Sequence, residues 1–272
     1  MKKELFDLTG KVAIVTGGNG VLGGAMAQAL ASYGAHIIIL GRNLQTVESR
    51  TRELAQSGYT VRGHAADVLN KQSLLKIKQE ILSDEGRIDI LVNAAGGNIS
   101  RAIVQPEGSF FELDMDAHRD VIDLNLNGTL LPCQVFGEVM ASQESGSIIN
   151  ISSATVQNTV TRLLSYSAAK SAVENFTRWL AVEVATKYGD GIRVNAIVPG
   201  FFIGEQNKQL LMDPSNNLTD RGKKIISNTP MGRFGEPEEL GGAVVFLASN
   251  ASSFVNASTV IVDGGFTAFS GV

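Results

Sequence analysis

The sequence predicts an α/β, doubly wound, parallel seven-stranded sheet with helices on both faces, all in a single domain. Three observations carry that expectation. Short apolar, β-branched runs alternate with runs of helical period along nearly all 272 residues. Seven strands separated by helices imply a mainly parallel sheet covered on both sides. No Pro-rich or Ser-rich linker and no internal repeat divides residues 1–272, and the 29 glycines fall mostly at strand and helix ends.

In order, "VAIVT" (12–16) precedes a helix near 21–33, and "HIIIL" (36–40) one near 43–57. "YTVRGHAA" (59–66) leads to a helix near 70–84, and "IDILVN" (88–93) to a long one around 116–143. "GSIINIS" (146–152) is followed by a helix over about 165–187, and "IRVNAIV" (192–198) by a looser region. A helix near 236–248 and the strand "TVIVDG" (259–264) close the pattern. Right-handed crossovers would bring all the strand C-terminal ends to one rim, where such sheets bind ligands. Two stretches near 97–119 and 201–230 follow strand ends and are expected to wall a substrate cleft.

Composition narrows the classes of function. A hydrophobic content of 44% with 18% charged residues is ordinary for a soluble protein. The net charge of -4 offers no footprint for nucleic acid. The apolar runs fall short of a membrane span, and no apolar signal segment follows "MKKELFDLTGK". The lone cysteine, Cys133, excludes an internal disulfide framework. A reduced cytoplasmic protein, with no membrane partner, is the expectation. His36, His64 and His118 are scattered without metal-ligand spacing, so no metal site is expected.

The turn "TGGNGVLGG" (16–24) lies between the first strand and the first helix. Gly18-x-Gly20-x-x-Gly23 fits a dinucleotide fingerprint, and Gly17-x-x-x-Val21-x-Gly23 nearly fits a second nucleotide loop. Glycines let backbone approach a pyrophosphate, and a helix N-terminus offers it free N–H groups. The same turn also reads as plain structural punctuation. If it binds nucleotide, Gly17, Asn19, Gly20, Leu22 and Gly23 are the expected contacts. An acidic residue about 20 positions on would favour NAD; here Gly41 holds that place and Arg42 follows. An arginine attracts a 2′-phosphate, so NADP is mildly favoured over NAD. Asp67 and Val68, after the third strand, are placed to flank an adenine.

"SYSAAKSAVENF" contains Tyr166-x-x-x-Lys170, and on a helix these two side chains share a face. A free phenol titrates near ~10, and a neighbouring cation could lower that by roughly 1–3 units. The pair then reads as a general acid/base, a role worth ~10²–10⁴ in rate. Ser153, thirteen positions earlier at a strand end, could donate to a developing oxyanion. Asn125, in "LNLNG", reads either as a minor helix defect or as a kinked turn holding a water beside Lys170.

"TGGNGVLG", "NAAG" (93–96), "NLNG" (125–128), "ISS" (151–153), "YSAAK" (166–170) and "PG" (199–200) occur in the order and approximate spacing of one family. Together they resemble the short-chain dehydrogenase/reductase family over nearly the whole chain. The resemblance implies a single Rossmann-type domain, bound NAD or NADP, reversible carbonyl/alcohol chemistry and commonly a homotetramer, with a homodimer the smaller alternative. It makes Tyr166 the proton donor or acceptor and Lys170 the phenolate stabiliser and ribose ligand. Ser153 orients substrate, and Asn125 holds the proton relay. It adds Asn93, Ala94, Gly96, Pro199 and Gly200 to the cofactor contacts. Two positions depart from the family pattern: Val21 replaces the middle glycine of the loop, and Gly204 stands where a threonine is common.

Within that family the chain is most similar to bacterial sugar-acid enzymes of the D-mannonate oxidoreductase type. "GGNGVLGGAMAQALA", "GTLLPCQVFG", "PGFFIGEQN" and "TPMGRFGEPEEL" carry the likeness. A sugar-acid substrate would need cations for its carboxylate, with Arg101, Arg162, Lys208 and Arg233 as candidates, and Asn98 and Gln206 for hydroxyls. Phe110, Phe111, Phe201 and Phe202 are expected to be loop core. Alternative readings are a gluconate 5-dehydrogenase, a 3-oxoacyl reductase, or a nucleotide-binding sensor of reductase fold.

Overall fold

The computed structural model describes residues 5–204 and 208–271. Among them are seven strands: β1 (Val12–Thr16), β2 (His36–Gly41), β3 (Val61–Ala65), β4 (Ile90–Asn93), β5 (Gly146–Ile151), β6 (Ile192–Pro199) and β7 (Thr259–Val262). They form one sheet in the order β3-β2-β1-β4-β5-β6-β7, with every neighbouring pair parallel. This is the doubly wound, Rossmann-type arrangement expected. Strand order reverses between β1 and β4, and the crevice at that switch point is the usual ligand site of such sheets.

The helices are α1 (Val21–Ser32), α2 (Leu44–Gln56), α3 (Lys71–Glu85), α4 (Met115–Ile122), α5 (Gly128–Gln143), the single turn α6 (Ala154–Gln157), α7 (Leu164–Tyr188), α8 (Lys208–Leu211), α9 (Asp220–Ser227) and α10 (Gly241–Ala248). Strand side chains alternate between two core layers. Ala13, Val15, Ile37, Ile39, Ile90 and Val92 pack with α1, α2 and α10. Val12, Ile14, Ile38, Leu40 and Leu91 pack with α3, α5 and α7. Both faces of the sheet are therefore dry, which is why the strands read as apolar runs. None of the described helices is long and apolar enough to cross a membrane.

Three departures from the sequence reading concern the rim. The expected helix over 116–143 is broken into α4, a π turn at Asp123–Asn127, and α5. The looser region after β6 contains α8 and α9. The helix expected from 236 begins as a 3₁₀ turn, Pro237–Leu240, before α10.

The opposite edge of the sheet is pinned by Asp89, only 4% exposed. Its Oδ2 accepts from the Val12 N–H at 3.0 Å and from Arg87 Nε at 2.7 Å. Lys11 Nζ lies 3.2 Å from Oδ1. Burial alone would raise this carboxyl's pKa, but Arg87, the Val12 amide and Lys11 together hold it below the usual range. A depressed carboxylate stabilises the fold above its unfolded pKa of about 3.9, and that contribution is lost as pH falls through the folded value. Asp89→Asn should cost about 2 kcal/mol at neutral pH. Thermal melts at neutral and acid pH check this: the gap between wild type and variant should close as the pH drops below about 4.

Candidate active site

Tyr166 and Lys170 lie one turn apart near the start of α7, at the rim formed by the strand C-terminal ends. The Lys170 ammonium is 3% exposed. It donates to the Ile151 carbonyl at 2.8 Å and sits 5.6 Å from the Tyr166 ring centroid. Burial pushes its pKa down to about 8. Tyr166 is half-buried and packs, as Ile99 does, against a small cluster of Ala102, Ala117 and Val121.

Ser153 ends the β5 rim as the N-cap of α6, its oxygen accepting from the Thr155 N–H at 3.3 Å. Its hydroxyl lies close enough to the Tyr166 phenol to favour the phenolate by hydrogen bonding. In the chain alone the Tyr166 phenol is not depressed as the neighbouring cation suggested. Burial raises its pKa, and the Ser153 hydrogen bond opposes this only in part. Lys170 lies over the ring, 5.6 Å from its centroid, and donates to backbone instead of to the phenol oxygen.

Asn125 is fully buried in the π turn. Its Oδ1 accepts from the Gly97 N–H at 3.0 Å, and its Nδ2 donates to the carbonyls of Gly97 (2.7 Å) and Val121 (2.8 Å). The side chain thus stitches the π turn to the loop after β4. Gly96 separates the two polar groups: a Cβ there would lie 2.7 Å from Asn125 Oδ1 and 3.3 Å from Lys170 Nζ. Asn125, Ser153, Tyr166 and Lys170, drawn from three segments of the chain, are therefore brought together around one point of the rim.

The adjoining crevice has the features a dinucleotide needs. Gly17 adopts φ 67°, and a Cβ on it would press within 2.9 Å of the Ala94–Ala95 backbone. The loops after β1 and β4 thus meet at the switch point. A Cβ on Gly23 would collide with the Gly17 carbonyl. Gly20 is the N-cap of α1 and supplies no side-chain cap, whereas Asn43, Asn70 and Asp114 cap α2, α3 and α4. The first N–H groups of α1, including that of Leu22, remain available to an anion. These observations fit a bound pyrophosphate.

Asn19 bridges outward, donating to Thr46 Oγ1 at 2.8 Å, and its Oδ1 fills the space where a Cβ on Gly41 would stand. Gly41 is thus a close-approach position as well as a missing carboxylate. Arg42 is exposed and makes no ion pair among the described residues. Asp67 is exposed and bonds the Leu69 N–H, while Val68 is buried with Gly128 beneath it. The Asn93 side chain turns into the protein: its Nδ2 donates to Asn150 Oδ1 at 2.9 Å and to Cys133 Sγ at 3.1 Å. Pro199 ends β6, and Gly200 packs on Asp263 beyond β7. The two departures from the family pattern are neighbours: a Cβ on Gly204 would lie 3.9 Å from Val21.

On the substrate side, the candidate cations separate. Arg101 is paired with Asp114 at 2.8 Å, and Arg233 makes a two-pronged bridge to Glu239. Lys208 is exposed on α8, and Arg162 has no acidic partner among the described residues. The Asn98 Oδ1 atom is buried without a partner, and Gln206 lies outside the described residues. The aromatic expectation is half corrected. Phe202 is buried and Phe201 stacks edge-on with Phe266 at 5.0 Å, but Phe110 and Phe111 are exposed, Phe111 to 93%. They sit on a short 3₁₀ turn, Phe110–Glu112, with only each other as ring neighbours among the described residues.

Sequence reasoning missed Glu174. This buried carboxylate accepts from Ser152 Oγ at 2.7 Å and from Gln157 Nε2 at 3.1 Å. It ties the segment bearing Ser153 to the helix bearing Tyr166. The signal was available, since Glu174 lies four residues beyond Lys170 and eight beyond Tyr166, on the same helix face.

Comparison with known proteins adds the following. The family model described as enoyl-(acyl carrier protein) reductase matches residues 19–267. UxuB, an uncharacterized oxidoreductase of Bacillus subtilis, is 43% identical over 275 residues, with 98% of each chain covered. A Haemophilus structure with bound NAD, provisionally named a D-mannonate oxidoreductase, is 42% identical, with TM-score 0.92 and 100% of each chain covered. A gluconate 5-dehydrogenase from Burkholderia cenocepacia, solved with NADP and tartrate, is 31% identical, with TM-score 0.87 and coverage of 98% and 99%.

Gly23→Ala should lower affinity for NAD(H) and NADP(H) by at least about tenfold, because the added methyl displaces the Gly17 carbonyl and the loop with it. Quenching of intrinsic fluorescence on titration with either nucleotide checks this.

Proposed function

We propose that this protein, which belongs to the short-chain dehydrogenase/reductase family, interconverts a keto sugar acid and its secondary alcohol, with D-fructuronate and D-mannonate as the pair. That it is an oxidoreductase acting on CH–OH groups with NAD or NADP follows from the family. The observation that carries the catalytic reading is the convergence of Tyr166, Ser153, Lys170 and the Asn125 turn beside the glycine-lined crevice. The sugar-acid reading is supported by the likeness to the provisionally named D-mannonate oxidoreductase and to gluconate 5-dehydrogenase. Gluconate 5-dehydrogenation remains the alternative on the second likeness. A sensor of the same fold has no use for a buried ammonium beside a phenol.

Gly17, Gly20, Leu22, Gly23 and the backbone at Ala94 and Gly96 would cradle the dinucleotide, with Pro199 and Gly200 bordering it and Asp67 and Val68 at the adenine. When bound, the nicotinamide supplies or accepts the hydride. The chain's own residues manage the proton. Ser153 donates to the substrate carbonyl oxygen and fixes it beside the Tyr166 hydroxyl. Tyr166, protonated at neutral pH because burial raises its pKa, gives its proton to that oxygen in the reductive direction. The Lys170 ammonium, charged below about 8, stabilises the phenolate left behind. At the π turn that carries Asn125, a water held beside Lys170 would return the proton from bulk solvent.

We further propose self-association as a homodimer or homotetramer. A groove of about 680 Å³ between α3, α5 and α7 is lined by Cys133, Ala141, Leu180 and Val184. Trp179 and Val182 stand exposed on the outer face of α7.

The reading is tested by following reduced-nicotinamide absorbance with hexuronates, aldonates and ketogluconates. Tyr166→Phe should keep cofactor binding and lose about 10²–10⁴ in kcat; an unchanged kcat would remove Tyr166 from the mechanism. Arg42→Ala should weaken NADP binding about tenfold more than NAD binding, as judged by nucleotide titration. Equal losses would end the preference for NADP.

A further inference from the structure

Two arginines approach each other between the loop entering α7 and α9, with no carboxylate partner among the described residues. Arg162 lies four residues before Tyr166, in the loop entering α7. Arg221 comes from α9, in the stretch after β6. The Arg221 guanidinium reaches the Thr161 carbonyl at 3.4 Å, one residue from Arg162, and the two charges are close enough to repel. Burial, and after it the charge of Arg162, lowers the pKa of Arg221. Neither arginine has an acidic partner among the described residues, although Arg50, Arg62, Arg87, Arg101, Arg119 and Arg233 each have one. On a chain of net charge -4, an unneutralised pair of cations is an uphill arrangement.

Arg162 is also held under backbone strain. Its φ is 79°, a region that a long side chain rarely enters. The loop is locked there by reciprocal bonds: the Val104 N–H donates to the Arg162 carbonyl at 3.1 Å, and Arg162 Nε donates to the Val104 carbonyl at 3.2 Å. Arg162 also donates to Gln105 Oε1 at 2.6 Å. All these acceptors are neutral. A guanidinium carries five N–H donors, so each of the two keeps donors for a ligand. The segment that Arg162 grips begins with Ile99 and Ala102, part of the small apolar cluster on which Tyr166 packs.

We propose that Arg162 and Arg221 form the clamp for the substrate's carboxylate, holding the acid end of a polyhydroxy keto acid while its carbonyl lies at Ser153 and Tyr166. The inference deepens the sugar-acid reading and rests on it. It also assigns a role to Arg221, which no motif marks. A bidentate guanidinium fits a carboxylate better than a lysine can, and two of them offset the repulsion each feels when the site is empty.

The experiment compares kcat/KM for a keto-hexuronate with that for its uncharged methyl ester, in wild type, Arg221→Ala, Arg221→Lys and Arg162→Gly. Glycine is used at 162 because it accepts the positive φ, so the loop keeps its path while the charge is removed. For Arg221→Ala and Arg162→Gly, the acid-to-ester ratio should fall by about tenfold to a hundredfold, mostly through KM. Arg221→Lys should recover part of it. NAD(H) affinity in each variant reports on folding. If acid and ester lose activity equally, or if neither does in a wild type that reduces the acid, the clamp is wrong and the sugar-acid function stands. If the wild type reduces only uncharged ketones, the sugar-acid reading fails and takes the clamp with it.

Discussion

The polar groups at this rim are arranged around one buried ammonium. Lys170 is held almost out of contact with water, with a backbone carbonyl as its hydrogen-bond partner and an aromatic ring beside it. Moving a charge into such a place is unfavourable, and its lowered pKa records that cost. Around it the polar groups are ordered by other devices. Gly96 admits the lysine close to Asn125, Glu174 fixes the Ser153 segment against α7, and Asn150 bonds Thr177 further along the same helix. Each of these contacts restrains α7 or a loop that faces it. The position of the ammonium relative to the phenol is thus set by the whole β5–α7 unit.

A second constraint is the closeness of backbone at the switch point. Gly17 touches the chain at Ala94 and Ala95, and Gly23 touches Gly17. The loops after β1 and β4 pack as one body, so the glycine turn and the residues around Gly96 cannot move independently. The alternating core explains why this is rigid. Every other residue of β1 and β4 faces a different layer, so a shift in register would move apolar side chains from one core to the other.

Much of this was legible in the sequence, and the exceptions have physical causes. The strands and most helices could be read because both sheet faces are dry, leaving apolar runs such as "VAIVT" and "ILVN" between helix-period segments. The Tyr166–Lys170 pairing could be read because it is local, a matter of one helical turn. The titration of Tyr166 could not, since burial decides it, and the cluster on which the ring packs, Ala102, Ala117 and Val121, comes from elsewhere in the chain. The pairing of Arg101 with Asp114 and of Arg233 with Glu239 likewise separated bystanders from candidates only in three dimensions. Arg221 carries no pattern at all; it matters through its arrival beside Thr161. Phe110 and Phe111 misled because an aromatic pair normally signals burial, and here a one-turn 3₁₀ segment holds both rings outside the core.

The π turn between α4 and α5 is in effect a helix carrying one residue too many. An extra residue rotates everything on one side by about 100° relative to the other. The apolar face of α4 therefore looks toward Tyr166, while α5 presents its own face to the sheet. Loss of a single residue from this turn would yield a tidier, continuous rod and would swing one of those faces into solvent.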